Sequence, residues 1–310
     1  MASNPSYNDK LTKIAVVGDV HDLWDANDEV ALQHLGVDLV LFVGDFGNES
    51  VEVVRAIASI ETPKAAIMGN HDAWYSASDW GIKQCPYDRR QEDRVQEQLE
   101  LLGSAHVGYG KLDFPGLDLT VVGGRPFSWG GSVWKNANFY KTRYGVKTFE
   151  ESTAQIAKAA QSANHQTIIF IGHCGPVGLG DRPEDPCGKD WNPIGGDYGD
   201  PDLAEAIAQT RRLGTTIPLV TFGHMHHTLR HTKQHLRTPI YTDSAGTVYL
   251  NAARVPRIIR SETNCLRNFS VVSLQAGVVT QASLVWLDQD FAIASEEVLY
   301  QRTGSVAQLA

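Results

Sequence analysis

Seven side chains of types that commonly bind metal ions are spread over the first three quarters of this 310-residue chain. They combine carboxylate, carboxamide and imidazole groups, a set that suits Mn, Fe or Zn and includes no thiolate. Seven ligands exceed the needs of one ion, but they suit two ions that share a carboxylate. Two metal ions about 3.5–4 Å apart are a common means of in-line attack on a phosphorus ester. The seven residues are Asp19, His21, Asp45, Asn70, His173, His224 and His226.

Each candidate ligand lies at the end of a predicted strand, directly after a glycine or two positions further on. A polar residue in this position reaches the carboxyl edge of a sheet, where open α/β folds place their sites. The apolar runs that predict these strands are Ile14–Val17, Leu39–Val43, Ala65–Met68, Ile168–Ile171 and Pro218–Phe222.

The spacing of the first three motifs indicates how distant residues can meet. Asp19, Asp45 and Asn70 follow one another at intervals of about 25 residues, the length of a strand, a helix and short loops. Helices are predicted between them, over Asp25–Leu35 and Ser50–Ile60. Parallel strands joined in this way bring all three side chains to the same edge of one sheet.

The motifs DxH, GDxxN, GNHD, GH and GHxH occur in this order over residues 14–226. In this order they resemble the signatures of the calcineurin-like metallophosphoesterase superfamily. The resemblance implies an α/β fold, a four-layer sandwich of two mixed β-sheets flanked by helices, with a dinuclear metal centre at the carboxyl edge. Two further stretches, Gly123–Gly131 and Asn251–Ile258, resemble a cyanobacterial and chloroplast branch of that superfamily.

The resemblance also implies a role for each motif residue. Asp45 would bridge two divalent ions, for which Mn is our first expectation and Fe or Zn are alternatives. A bridging hydroxide activated by the two ions would then attack phosphorus in line. The first ion would be held by Asp19, His21 and His226, and the second by Asn70, His173 and His224.

His71 matches a histidine of the family that binds no metal. It would protonate the leaving oxygen or steady the transition state, so we expect His71 and Asp45 to be the catalytic residues. Asp22 or Asn48 could orient its imidazole, and this matters because the tautomer decides whether a histidine can donate a proton.

The segment Leu119–Phe149 is predicted to be a long loop that walls the substrate pocket. It carries five basic residues and no acidic residue, with aromatic residues between them. Arg125 is the best single candidate to bind substrate, because a guanidinium can grip a phosphate with two hydrogen bonds. The alternative is that the aromatic residues fill the gap between the sheets and the bases are ordinary surface. A second irregular segment, Gly175–Pro201, is predicted to be a lid or rim.

Composition narrows the partners and the compartment. The formal net charge of −9 argues against nucleic acid as a binding partner, because its backbone attracts clustered Lys and Arg. The sequence contains no run of about 18 apolar residues, so it predicts no membrane span. The four cysteines contain no CxxC pair, so we expect free thiols and a cytoplasmic location.

The sequence predicts one metallophosphoesterase domain over residues 13–287, a disordered leader over 1–12 and a C-terminal tail of unassigned role over 288–310. The expected function is hydrolysis of a phosphomonoester, on a phosphorylated small molecule or a phosphoprotein. A phosphodiesterase acting on cyclic or dinucleotides, a protein Ser/Thr phosphatase, a nuclease and a non-catalytic scaffold are the alternatives.

Overall fold

The computed structural model describes residues 11–232 and 234–303, so most of the predicted leader lies outside the described residues. Among these residues the strands form one sheet of seven and one of six. The first sheet contains β1 (Thr12–Val17), β2 (Leu39–Phe42), β3 (Lys64–Ala66), β10 (Ile258–Arg260), β11 (Cys265–Gln275), β12 (Val278–Leu287) and β13 (Ile293–Gln301). The second contains β4 (Lys111–Phe114), β5 (Leu119–Gly123), β6 (Thr167–Ile171), β7 (Thr216–Phe222), β8 (Ile240–Thr242) and β9 (Val248–Asn251).

Both sheets are mixed, and their parallel strands carry the predicted ligands. In the first sheet, with the order β13-β12-β11-β1-β2-β3, β1, β2 and β3 are parallel and β11 pairs antiparallel with β1. In the second, with the order β4-β5-β6-β7-β9-β8, the four central strands are parallel and the two edge strands are antiparallel. The parallel arrangement predicted for the first three strands is confirmed.

Strand alternation explains why four layers form. Ile14 and Val16 of β1 enter the core between the two sheets, whereas Ala15 and Val17 face a separate core under helices. On the other side of the molecule, Phe170 of β6 packs in a third core with residues of two further helices. The predicted sandwich of two mixed sheets flanked by helices is therefore confirmed. The helices are α1 (Ala26–Leu35), α2 (Val51–Ser59), α3 (Asp79–Gln84), α4 (Arg94–Leu102), α5 (Ala137–Tyr144), α6 (Phe149–Gln161) and α7 (Pro201–Arg212).

The helix after the first motif is bounded by clear local signals. The Asp25 side chain accepts a hydrogen bond from the Asn27 backbone N–H, and the Asp28 carboxylate accepts one from the Asp25 backbone N–H at 2.8 Å. This capping box fixes the beginning of α1. Gly36, in the left-handed region at φ 61°, ends it and turns the chain towards β2.

Two parts of the chain differ from the sequence prediction. The strand that the sequence predicts over Leu117–Val122 corresponds to β5, but the rest of the segment 119–149 is not a continuous loop, because it includes α5. Residues 293–301 form β13, which pairs antiparallel with β12 and extends the first sheet beyond residue 287. Neither α5 nor β13 has apolar residues at regular intervals, because neither buries a whole face. The buried residue of α5 is Tyr140, and β13 is an edge strand that is mostly exposed.

Among the described residues, no helix is long and apolar enough to cross a membrane.

Candidate metal centre

The ends of five parallel strands meet where the two sheets approach each other. Asp19 and His21 follow β1, Asp45 follows β2 and Asn70 follows β3, whereas His173 follows β6 and the histidines of GHMH follow β7. Hydrogen bonds cross between the sheets at this point. His173 Nδ1 lies 2.8 Å from the Val43 carbonyl oxygen, and the His224 backbone N–H donates to Asp19 Oδ1 at 2.9 Å. The fold therefore brings all seven predicted ligands into one cluster.

A first group of side chains lies around Asp19. The ligand atoms of Asp19, His21 and His226 are all within 4.8 Å of one another. Asp19 Oδ2 is 2.9 Å from His226 Nε2 and 3.8 Å from His21 Nε2, and the two imidazole nitrogens are 3.2 Å apart. These are the three residues that the family resemblance assigns to the first metal ion.

A second group lies around Asp45. The ligand atoms of Asp45, His173 and His224 are likewise within 4.8 Å of one another. His173 Nε2 is 3.3 Å from Asp45 Oδ1, 3.2 Å from His224 Nδ1 and 3.0 Å from Asn70 Oδ1. These four are the residues that the resemblance assigns to the second ion, with Asp45 as the bridge.

The separations fit donor atoms that share a cation. Metal–nitrogen bonds of about 2.0–2.1 Å place two ligands on one ion roughly 3 Å apart. Two imidazole nitrogens at that distance repel each other unless a proton or a cation lies between them. Asp19 Oδ2 is also fully buried, and within the described part of the chain it has no hydrogen-bond donor in good geometry. A buried anionic oxygen without a donor costs free energy, and a cation would remove that cost.

The charges in the cluster also favour a bound cation. Burial would raise the pKa of Asp19, but the nearby His226 imidazole lowers it to about 2. Burial would also raise the pKa of Asp45, and the charges of His173, His71 and His21 hold it well below its usual range. Two ionised carboxylates are therefore buried together, an environment that a divalent cation satisfies.

The histidines divide into two electrostatic classes. Burial would lower the pKa of His173, but the charge of Asp45 raises it to about 9, so the cluster draws positive charge to this position. Burial and the neighbouring charge of His173 lower the pKa of His224 to about 3. His224 is accordingly neutral and ready to act as a ligand, whereas His173 would exchange its proton for a metal ion.

The backbone at the strand ends is in an uncommon conformation. Asp19, His21, Asp45 and His224 all have positive φ angles, at 49°, 45°, 56° and 66°. The left-handed region costs energy for any residue with a Cβ, although Asp and His tolerate it better than most. Four predicted ligands in this conformation indicate that the fold forces sharp turns in order to aim these side chains at the centre.

Two glycines make the close packing possible. A Cβ on Gly69 would lie 2.3 Å from Asp45 Oδ1, and a Cβ on Gly223 would lie 2.2 Å from Asp19 Oδ1. These are the glycines that precede Asn70 and His224 in their motifs. The residue before the ligand must therefore be small because a carboxylate from the neighbouring strand end occupies the space.

His71 lies beside the cluster with one nitrogen held and the other directed inwards. Its Nδ1–H donates to Asn48 Oδ1 at 2.5 Å, and its Nε2 is 3.9 Å from Asp45 Oδ2. Of the two residues predicted to orient this imidazole, Asn48 makes the contact. The Asp22 carboxylate lies against Gly47 instead. Trp74 stacks on His71 at 4.4 Å between ring centroids and 11° between planes.

The family model of the calcineurin-like phosphoesterases matches residues 12–228. The chain belongs to this family. The resemblance seen in the sequence motifs is thereby confirmed, and the chain is a phosphoester hydrolase by family. No curated protein matches the sequence.

Several solved structures align with the chain, all at low identity. TT1561 of Thermus thermophilus is 11% identical, with 94% of this chain and 100% of that chain covered and a TM-score of 0.48. A dimetal phosphatase from Danio rerio is 10% identical, with 94% and 99% covered and a TM-score of 0.47. The purple acid phosphatase PPD1 from yellow lupin is 14% identical, with 94% and 54% covered and a TM-score of 0.48. Likeness at this level does not bear on the substrate.

Asp72, the last residue of GNHD, holds two of the family's motifs together. It is fully buried, and its carboxylate accepts hydrogen bonds from the backbone N–H groups of Asp45, Phe46 and Gly69, at 3.0, 2.8 and 2.6 Å. Burial and the charge of Asp45 raise its pKa well above the usual range. We did not single out Asp72 from the sequence, although its place in the motif is a usable signal.

Arg237 performs a similar task for the last motif. It is 2% exposed, and its Nε donates to the His226 carbonyl oxygen at 3.0 Å. Its Nη1 donates to the carbonyl oxygens of Pro183, Asp185 and Gly188, at 2.7, 2.8 and 2.7 Å. The loop that carries His226 is thus tied to the segment Gly175–Pro201. No sequence motif marks this arginine.

Arg125 does not occupy the position that we predicted for it. It is 2% exposed, its Nε donates to Asp202 Oδ2 at 2.9 Å and its Nη2 donates to Asp200 Oδ1 at 2.6 Å. Its guanidinium also lies 5.0 Å from the ring centroid of Trp134. We therefore correct the prediction that Arg125 grips the substrate, because two carboxylates already engage the guanidinium away from solvent.

A cleft of about 650 Å³ opens beside the candidate centre, and its lining includes His224 and His226. Trp129 and Trp134 come from the segment 119–149, and Trp191 and Tyr198 come from the segment 175–201. We call this space the aromatic cleft. Both irregular segments that were predicted to border the substrate thus contribute to it. Its basic side chains are Lys135 and Arg230.

Proposed function

We propose that this family member hydrolyses phosphomonoesters at a centre of two divalent metal ions. The observation that carries the proposal is two groups of candidate donors, one around Asp19 and one around Asp45, each with its ligand atoms within 4.8 Å of one another. A third such group, formed by His21, Asp45 and His71, joins the two. Asp45 would bridge, since a carboxylate alone among these side chains offers two anionic oxygens. Asn70 would complete the second group through its oxygen, which already lies 3.0 Å from His173 Nε2.

The donor set supports Mn as the first choice of metal, with Fe or Zn as alternatives. Oxygen and imidazole donors suit all three, and no cysteine belongs to either group. When bound, two such ions supply Lewis acidity that activates water and offsets charge on the phosphoryl group. The protein's part is to fix the donors, which the buried hydrogen bonds of Asp72 and Arg237 accomplish.

We assign protonation of the leaving oxygen to His71. As an acid the imidazole must carry a proton on both nitrogens: Nδ1–H is engaged by Asn48, and the proton on Nε2 would pass to the leaving oxygen. Burial lowers the pKa of His71, and the charge of the Asp45 carboxylate opposes that shift and favours the protonated form. Trp74 covers one face of the ring and limits its rotation. A positioned acid of this kind contributes about 10²–10⁴-fold to rate on substrates whose leaving oxygen needs a proton.

The aromatic cleft supports a monoester as the substrate. A phosphomonoester carries one organic group, and the cleft offers room for one beside His224 and His226. The volume, about 650 Å³, is more than a bare phosphate requires, and this favours a small-molecule ester. The same volume keeps a phosphodiesterase as the second candidate. The net charge of −9 argues against nucleic acid as the substrate of either activity.

The four cysteines, none of which forms a disulfide, support a cytoplasmic location for this reaction.

A matched substrate pair tests the preference. Protein loaded with Mn is assayed on 4-nitrophenyl phosphate and on bis(4-nitrophenyl) phosphate, which release the same leaving group. We expect kcat/KM to favour the monoester by at least about ten-fold. A preference for the diester would make the chain a phosphodiesterase, and hydrolysis of neither would contradict catalysis of this class. Asp45→Asn, purified in parallel, excludes a contaminating phosphatase.

A further inference from the structure

The aromatic cleft is lined by His224 and His226 on one side and elsewhere by side chains that play no part in the ligand groups. Trp129 and Trp134 follow β5, and Trp191 and Tyr198 belong to the segment that leaves His173. All four are half-buried, so part of each ring is open to the cleft. Four aromatic rings lining a space beside a phosphoester site require an explanation beyond binding of the phosphoryl group.

The cleft wall is held in place from behind. The Gly131 N–H donates to the Tyr198 carbonyl oxygen at 2.8 Å, and this bond joins the two segments. Gly131 has φ 85°, and a Cβ there would lie 3.0 Å from the Tyr198 ring. Arg125, fixed by two buried carboxylates, packs against Trp134. The rings are therefore positioned by the protein itself, as expected of a preformed binding site.

The wall favours a flat group that carries acceptor atoms or negative charge. Its acidic member, Asp190, is already engaged, because it accepts from the Arg230 backbone N–H at 2.7 Å and lies 3.6 Å from Arg237 Nη2. Trp191 and Tyr198 meet edge to face at 4.7 Å between centroids. The Arg230 guanidinium lies 5.5 Å from the centroid of Trp191, and Lys135 Nζ lies 4.6 Å from that of Tyr198. Aromatic faces stack on planar rings, and cations at the rim attract acceptor atoms or negative charge on them.

Trp129 links this wall to the proposed acid. Its ring stacks on Trp74 at 5.5 Å and 21°, and Trp74 stacks in turn on His71. A continuous series of rings therefore runs from the cleft lining to the side chain proposed to protonate the leaving oxygen. A leaving group that lies along the rings would keep its oxygen near His71.

We propose that the aromatic cleft binds the leaving group of the substrate and selects one that carries a planar aromatic ring. This inference rests on the proposed phosphomonoesterase function. Trp191 is the residue that we assign to stacking. Trp134 packs against Arg125 and Trp129 stacks on Trp74, whereas the ring of Trp191 meets Tyr198 and Arg230, which line the cleft themselves. Stacking of one ring on an aromatic side chain changes affinity by roughly 5- to 100-fold.

The test uses pairs of monoesters in which one member has an aromatic ring and the other does not. Adenosine 5′-monophosphate is compared with ribose 5-phosphate, and benzyl phosphate with cyclohexylmethyl phosphate. We expect kcat/KM to favour the member with the aromatic ring, adenosine 5′-monophosphate or benzyl phosphate, in at least one pair by about ten-fold or more. Trp191→Leu should bring that ratio close to one, and the ratio within each pair is the readout because both members carry the same phosphoryl group. Trp286→Leu, the same change at a tryptophan of β12 that does not line the cleft, is the control.

A binding measurement separates this inference from the proposed function. Calorimetry with adenosine and with benzyl alcohol, which carry no phosphate, should show binding to the wild type that Trp191→Leu weakens. That result without any monoester hydrolysis would support the ring site and contradict the phosphomonoesterase. Equal hydrolysis within both pairs, unchanged in Trp191→Leu and without binding of either alcohol, would overturn the ring site and leave the phosphomonoesterase intact.

Discussion

The ligand cluster and the aromatic cleft lie side by side but are built in different ways. The cluster is carried on the ends of parallel strands from both sheets, and Asp19, Asp45 and His173 are almost fully buried. The cleft is carried on two irregular segments, 119–149 and 175–201, whose aromatic side chains are half-buried. Backbone groups fix the carboxylates of the cluster, whereas side-chain stacking arranges the cleft.

This difference separates reaction from selection. Strand ends are rigid, so they hold donor atoms at the short separations that a metal ion needs. Loops tolerate change without loss of the fold, so they can adapt the organic part of the site to a substrate. Variants in the cluster should therefore abolish hydrolysis of all esters, and variants in the cleft should change the order of preference among them.

The largest effect should come from Asp45→Asn. Asparagine keeps the size of the side chain but provides one neutral oxygen, so neither group would retain an anionic bridge. We expect most bound metal to be lost and kcat to fall by more than about 100-fold. Replacing a residue that only hydrogen-bonds to a metal ligand can already lower activity by up to about 100-fold. Elemental analysis and a phosphatase assay measure both. Asp290→Asn, at an exposed position, is the matched control, and metal content equal to that of the control would contradict the bridging role.

His71→Ala should have the next largest effect and should divide substrates by chemistry. Alkyl phosphates, whose leaving oxygen needs a proton, should be hydrolysed about 10²–10⁴-fold more slowly. Activated aryl phosphates should be affected much less, and metal content should stay at the wild-type value. An equal loss on both kinds of ester would remove His71 from the role of acid.

Arg125→Met should affect stability rather than selection. Removing the guanidinium leaves Asp200 and Asp202 buried without their partner, and breaking a buried ion pair costs about 3–5 kcal/mol. Urea unfolding measures the loss, and Arg182→Met, at a side chain that is 77% exposed, is the control. A loss below about 1 kcal/mol together with a raised KM would restore Arg125 as a substrate-binding residue.

Lys135→Met should have the smallest effect. Lys135 lines the cleft and bonds the Tyr198 hydroxyl, so its charge lies near the path of an anionic substrate. A partly exposed charge contributes modestly, and we expect KM to rise about two- to five-fold, less at high salt. Lys158→Met, on the exposed side of α6, is the control. An unchanged KM at low salt would show that this lysine only supports Tyr198.

The sequence predicted the parts of the molecule that depend on local pattern. Continuous apolar runs indicated the strands before Asp19, Asp45 and Asn70, and the helices predicted between them indicated parallel pairing. The motifs then indicated the ligand cluster, because each ligand closely follows a strand that the pattern identifies. Asn48 was one of two candidates to orient His71, and geometry was needed to choose it over Asp22.

The sequence could not show contacts between residues far apart in the chain. Arg125 follows a strand like the ligands do, and its partners Asp200 and Asp202 lie 75 and 77 residues further along. A fork suited to phosphate is equally suited to carboxylate, so residue type could not distinguish the two. Arg237 has no pattern at all, because its partners are backbone carbonyls of an irregular segment. β13 lacks a buried face, so it lacks the alternation that predicts a strand.

The central proposal is that the group around Asp19 and the group around Asp45 each bind a metal ion, and that the two ions share the Asp45 carboxylate. The most direct measurement is the metal content of the full chain, purified in Mn and then titrated with Mn under calorimetry. The account predicts close to two ions per chain for the wild type and the loss of most bound metal in Asp45→Asn. A single ion per chain at saturation would contradict it.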